Sequence, residues 1–204
     1  MLEKMKAIIN RIKDLKLKKK ANQIQLEHGF IRDTEVMLFF LNKAPTKRLS
    51  LIRMLELIYL ADVFHIKKYG TPITTFTYII FKKEPKRAAE QLYRRYSEQI
   101  ATYIDNFLYA KKDFDFKKGK FVSSEIQAME YIWDTFGHLK DEQMSLIKDA
   151  YPSSLPEIFA EPDEKAMKTI KLLGFDSDPL KVTPDTLEMS KKVFVRWLQS
   201  DGEI

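Results

Sequence analysis

From Lys47 to Tyr69 the chain keeps Ile52, Leu55, Ile58 and Tyr59 at helical spacing, and the pattern closes on Gly70 with Pro72 just beyond. Thr46 stands where an N-cap is needed. A helix of this length is stable only when its apolar face is covered, so it dictates a fold in which other elements pack around it. Directly after it, Thr75-Phe76-Thr77-Tyr78-Ile79-Ile80-Phe81 is β-branched and aromatic, and predicts a strand.

The rest of the chain repeats the helical theme. Leu2, Met5, Ile8, Ile9, Ile12 and Leu15 form one apolar stripe opposite a basic face. Gly29 reads as a stop, and Asp33 or Thr34 as the N-cap of a short helix over 35–43 that Pro45 ends. Pro85 suits the first turn of a helix running to about Ala110, with Leu92, Tyr93, Tyr96, Ile100, Tyr103, Ile104 and Phe107 turned inward. Residues 114–122, with Lys118-Gly119 between aromatic residues, predict a small hairpin. Ser124-Glu125-Ile126-Gln127 has the form of a capping box for a helix ending at Phe136-Gly137, and a further helix follows over 141–150. Two more are expected, over 162–173 with Gly174 as C-cap, and from Thr183-Pro184 to near Ser200 with Leu187, Val193, Phe194 and Trp197 buried. The expected class is mostly α (α+β): a compact helical domain with a small β element and extra terminal helices. We divide the 204 residues into a basic amphipathic helix at 1–32, a central domain at 33–152 and a helical extension at 153–204 packed on that domain.

Composition narrows the function classes. No cysteine is present, which excludes disulfides, thiolate catalysis and Cys-ligated zinc. No window approaches about 18 uninterrupted apolar residues, so no membrane span is expected. Charges scattered through the first residues argue against a secretion signal, and with no cysteine present a reducing, cytoplasmic setting is the expectation. Residues 1–20 hold eight basic side chains against two acidic ones, a surplus equal to the net charge of +6 for the whole chain. The remaining residues are neutral overall, so the domain as a whole does not read as a nucleic-acid binder. Lys13, Lys16 and Lys20 belong to that basic face. Three roles stay open for it: docking on its own domain, binding a partner protein, or touching nucleic acid or an anionic membrane.

The run from Ile58 through Ala61, Asp62, His65 and Tyr69-Gly70-Thr71-Pro72-Ile73-Thr74 resembles the signature of the Panacea, or SocA-like, antitoxin domain. Ser124-Glu125-Ile126 through Phe136-Gly137, and Leu139 to Leu146, resemble its second helical pair, so the likeness covers roughly 35–152. Thr75 stands where the family usually has Gly, Lys83-Glu84-Pro85 replaces a Gly-Pro-Val turn, and Lys148-Asp149 lies where a His is common. The resemblance implies a bacterial or phage-encoded protein that binds and neutralises a partner toxin. One branch of the family delivers its toxin to a protease, which would make an AAA+ protease a second partner.

Asp62 and His65 lie at i and i+3 on one helix face. The spacing suits a metal or an acid–base pair, but a metal needs further ligands and the chain has only three histidines. The preferred reading is structural: His65 bonds the turn at 70–74, and Asp62 orients the ring or caps the turn. Gly70 and Ile73 complete that structural motif. Tyr69, Thr71, Pro72, Thr74 and the neighbouring Phe76 are the candidate partner contacts, together with Lys13, Lys16 and Lys20. The aromatic residues from Phe76 to Phe107 read as core rather than as base-stacking platforms. No phosphate loop, nucleophile elbow or His-Glu-x-x-His motif is present. No catalytic residue, cofactor or metal is therefore assigned, and an antitoxin-like binding protein is the expectation. The alternative is a nucleic-acid-binding regulator using the basic N-terminal helix.

Overall fold

A computed structural model describes residues 31–74, 101–151 and 158–199. The basic segment at 1–20, the expected strand at 75–81 and the start of the helix expected from Pro85 lie outside these residues. The described protein is mostly helical with one small antiparallel sheet. Helix α1 covers 31–43, so Asp33 and Thr34 lie inside it and are buried, and neither is its N-cap.

Strand β1 (Arg48–Ser50) follows, and α2 (Leu51–Tyr69) begins at its end. The helix therefore starts four residues later than Thr46 implied. Ser50 is the N-cap, its hydroxyl accepting from the Arg53 N–H at 3.2 Å. From Leu57 to Lys67 every residue of α2 is buried, so it is a central helix covered all round rather than a surface helix with one apolar face. It packs against α4 (Ser123–Phe136), α5 (Asp141–Met144) and α8 (Pro184–Gln199). Each fully buried Leu or Ile on it contributes about 1.5–3 kcal/mol of apolar transfer.

Residues 101–110, expected to end a helix, form a hairpin of β2 (Ala101–Ile104) and β3 (Phe107–Ala110). Asp105 and Asn106 both have positive φ (51° and 66°), which closes a two-residue turn matching strand twist. β3 pairs on its other side with β1, Arg48 opposite Tyr109 and Ser50 opposite Phe107, giving the order β1-β3-β2. The Asn106 carbonyl accepts from the Leu51 N–H at 3.1 Å, tying the hairpin tip to the first turn of α2.

Residues 114–122 are not a hairpin. They hold one helical turn, α3 (Phe116–Gly119), capped by the Asp115 carboxylate, which accepts from the Lys117 and Lys118 N–H groups. Helix α4 starts one residue before Ser124, and its cap is made by Glu125, whose Oε2 accepts from the Val122 N–H at 2.9 Å. The helix expected over 141–150 is split into α5 and α6 (Ile147–Ala150). Helix α7 (Glu164–Leu172) is capped by Asp163 and followed by Gly174 at φ +95°. Helix α8 buries Phe194, with Leu187, Val193 and Trp197 half-buried. The Phe194 ring stacks on Trp197 at 5.6 Å and meets Phe159 edge-on at 5.4 Å.

Candidate functional site

The last turn of α2 faces the segment that follows it. Gly70 ends the helix at φ +85°, a conformation that glycine adopts without a Cβ penalty. The chain then folds back over its own helix. Asp62 Oδ1 accepts from the Ile73 N–H at 2.7 Å and the Thr74 N–H at 2.9 Å, and Oδ2 accepts from the Thr74 hydroxyl. The buried carboxylate thus holds the returning backbone by charge-assisted hydrogen bonds.

His65 lies one turn further along. Its Nδ1 donates to the Thr71 carbonyl at 2.6 Å, which places the ring proton on Nδ1 and leaves Nε2 to accept from the Ser124 hydroxyl at 3.4 Å. Burial lowers the His65 pKa from 6.5 to about 4. The positive charges of Arg32 and Lys68 push the same way, and the Thr71 carbonyl opposes them. His65 is therefore neutral at physiological pH. The Tyr69 ring lies beside it, centroids 4.7 Å apart.

Arg32, from α1, reaches the other side of the turn. Its Nε donates to the Ile73 carbonyl at 2.7 Å, one terminal nitrogen donates to the Gly119 and Lys120 carbonyls, and the other pairs with the buried Glu125 carboxylate. The guanidinium also covers the Phe121 ring at 4.8 Å. One arginine therefore joins the turn after α2, the loop after α3 and the first turn of α4. Close by, Glu35 accepts from the Asp115 N–H at 3.0 Å and pairs with Lys118.

The structure brings together Asp62, His65, Tyr69, Gly70, Thr71, Ile73 and Thr74. Asp62, His65, Gly70, Ile73 and Thr74 are buried, while Tyr69, Thr71 and Pro72 are half-buried. Thr74 turns both its N–H and its hydroxyl onto Asp62, so of these residues Tyr69, Thr71 and Pro72 keep the most exposed surface. Phe76, Lys13, Lys16 and Lys20 lie outside the described residues. Arg32 and Glu125 are the members that sequence reasoning did not single out. Glu125 carried a signal as a capping residue, but nothing local linked it to Arg32.

A second polar cluster lies on the other flank of α2. Lys67 pairs with Asp178 at 3.4 Å, both side chains about 6% exposed. Asp178 also accepts from the Tyr151 hydroxyl at 2.9 Å and the Leu180 N–H at 2.8 Å. Burial first, then the charge of Asp178, pushes the Tyr151 phenol well above its ordinary range, so it stays a donor. Among the described residues no group of three or more His, Cys, Asp or Glu side chains converges as metal ligands, and no helix is long and apolar enough to cross a membrane.

Residues 55–149 match the model of the family described as antitoxin SocA-like, Panacea domain. The match begins within α2 and ends within α6, so Asp62, the turn and Glu125 fall inside it and Arg32 precedes it. No curated protein and no solved structure gives a significant match to the chain.

Proposed function

We propose that this chain, which carries a SocA-like Panacea domain over residues 55–149, is an antitoxin-like protein that neutralises a partner toxin by stoichiometric protein–protein contact. The family match carries the reading. The geometry of its signature residues supports a binding role over a catalytic one. Asp62 spends both carboxylate oxygens on the turn, and His65 spends Nδ1 on Thr71, so the pair is committed to holding backbone rather than to moving a substrate proton. What such a device supplies is a rigid surface, and rigidity lowers the ordering cost of binding. Delivery of the bound toxin to an AAA+ protease is a further role in the same reading, and it would add toxin turnover to inhibition.

The test is co-expression with each product of the genes that neighbour this one, followed by titration of any pair in which one protein is toxic alone. The expected result is growth rescue, and inhibition that saturates at one antitoxin per toxin without any protease. Inactivation by far less than one equivalent would instead show an enzyme. Recovery of nucleic acid that is lost in high salt or on deleting residues 1–20 would favour the nucleic-acid-binding regulator.

A further inference from the structure

The loop from Phe114 to Val122 and the first turn of α4 enclose an open groove of about 360 Å³, lined by Phe114, Phe116, Phe121, Ser123, Ile126 and Gln127. Its size is near the lower end of small-molecule clefts, roughly 300–1,000 Å³. Its chemistry differs from a cofactor cleft, because it is walled by aromatic rings with almost no converging polar groups. Phe116 is 52% exposed and Val122 59%, adjoining apolar surface that the described fold leaves uncovered.

The rim is basic. Residues 111–120 hold five lysines against two aspartates. Both aspartates are already engaged: Asp113 pairs with Lys47 at 2.7 Å, and Asp115 caps α3. Lys118 answers Glu35, whereas Lys117 and Lys120 are exposed and make no ion pair among the described residues. Lys112 has its pKa lowered, by burial first and then by the neighbouring charge of Lys118, so positive charge is crowded here. An anion arriving at this rim relieves that repulsion.

The groove is also held in shape. The Gly119 N–H donates to the Asp115 carbonyl, and the Phe121 N–H donates to the Phe116 carbonyl. Arg32 grips the Gly119 and Lys120 carbonyls from behind while touching the turn below Asp62. A buried core thus supports an aromatic groove with a cationic edge, the arrangement in which an apolar anchor supplies affinity and the charged rim supplies steering.

We propose that this groove seats an acidic segment of the protein partner, with one large apolar side chain of that segment held between Phe116, Phe121 and Ile126. The inference rests on the antitoxin reading for the partner's identity, but the surface chemistry is testable without it. The probe is a fluorescent synthetic peptide of aspartates and glutamates around a central Trp-Leu pair, titrated into the full chain. Controls are the same peptide with Asn and Gln replacing the acids, and a single-stranded oligonucleotide.

Saturable binding to the acidic peptide, weakened at least about tenfold by Phe116→Asp and likewise by Lys117→Glu with Lys120→Glu, is the expected result. All three side chains are on the surface, so the fold should survive, and circular dichroism checks it. Absence of binding, or binding that Phe116→Asp leaves unchanged, overturns the proposal. Equal affinity for the oligonucleotide also overturns it, since the rim would then be a general polyanion site. The two readings fail separately. If the chain neutralises its toxin and the groove variants do so equally well, the groove inference falls alone. If the acidic peptide binds in the groove but no toxin is neutralised, the antitoxin reading falls alone.

Discussion

Asp62 and His65 do related work by different physics. Asp62 is a charge whose burial is offset by three donors, each hydrogen bond to a carboxylate being worth about 1.5–3 kcal/mol. His65 is a titratable ring kept neutral, and that makes the turn sensitive to acid. An unfolded chain protonates this ring near pH 6.5, and the folded chain only near pH 4. Stability from the neutral ring is therefore complete above pH 6.5 and is lost as the pH falls toward 4, by about 3 kcal/mol in all. Urea unfolding of the protein and of His65→Asn between pH 7 and 4 checks this. Asn can keep a donor on the Thr71 carbonyl, so the variant should lose less stability on acidification, and parallel pH curves would refute the assignment. Both residues were legible in the sequence, because a carboxylate and an imidazole three positions apart on a helix stand out. Arg32 was not, since it meets Glu125 across 93 residues and no local pattern encodes such a meeting.

The junction of α2 with α8 turns on Gly70. A Cβ there would lie 2.5 Å from Val193 Cβ and 2.7 Å from the Ser190 carbonyl oxygen, in addition to the strain of φ +85°. Gly174 shares the strain, at φ +95°, but a Cβ there meets nothing within 4 Å. The two glycines separate backbone strain from packing. Gly174→Ala is expected to cost about 1 kcal/mol. Gly70→Ala is expected to cost at least about 2 kcal/mol more, because α8 must move off α2. Thermal unfolding of the two variants measures the difference, and equal losses would mean that α8 yields freely. Helix α8 was readable from its caps and stripe. The β2–β3 hairpin was not, because Tyr103, Ile104 and Phe107 satisfy helical spacing as well as they satisfy strands. The deciding residues were Asp105 and Asn106, two types that tolerate positive φ side by side.

Across the molecule, distant segments converge on α2. On one flank His65 meets Ser124 of α4, and Arg32 of α1 holds the turn after α2 while pairing with Glu125 of α4; on the other, Lys67 meets Asp178 in the stretch before α8. Removing one member of the Lys67–Asp178 pair leaves a buried charge uncompensated, so Lys67→Met should cost about 3–5 kcal/mol. The double variant Lys67→Met with Asp178→Asn should be more stable than the two single losses added together. Denaturant unfolding of all four proteins closes that cycle, and simple additivity would show that the pair does not couple. The mostly helical class with a small β element was legible in the scarcity of glycine and the dominance of helical spacing. The central place of α2 was not, because burial on every side is set by partners far along the chain. That position bears on how the protein is made. The apolar α2 leaves the ribosome well ahead of α4 and more than a hundred residues ahead of α8. At translation rates of about 5–20 residues per second, its α8-facing side waits on the order of ten seconds for its cover. During that interval the nascent chain offers a greasy helix to any holdase or protease at the exit tunnel.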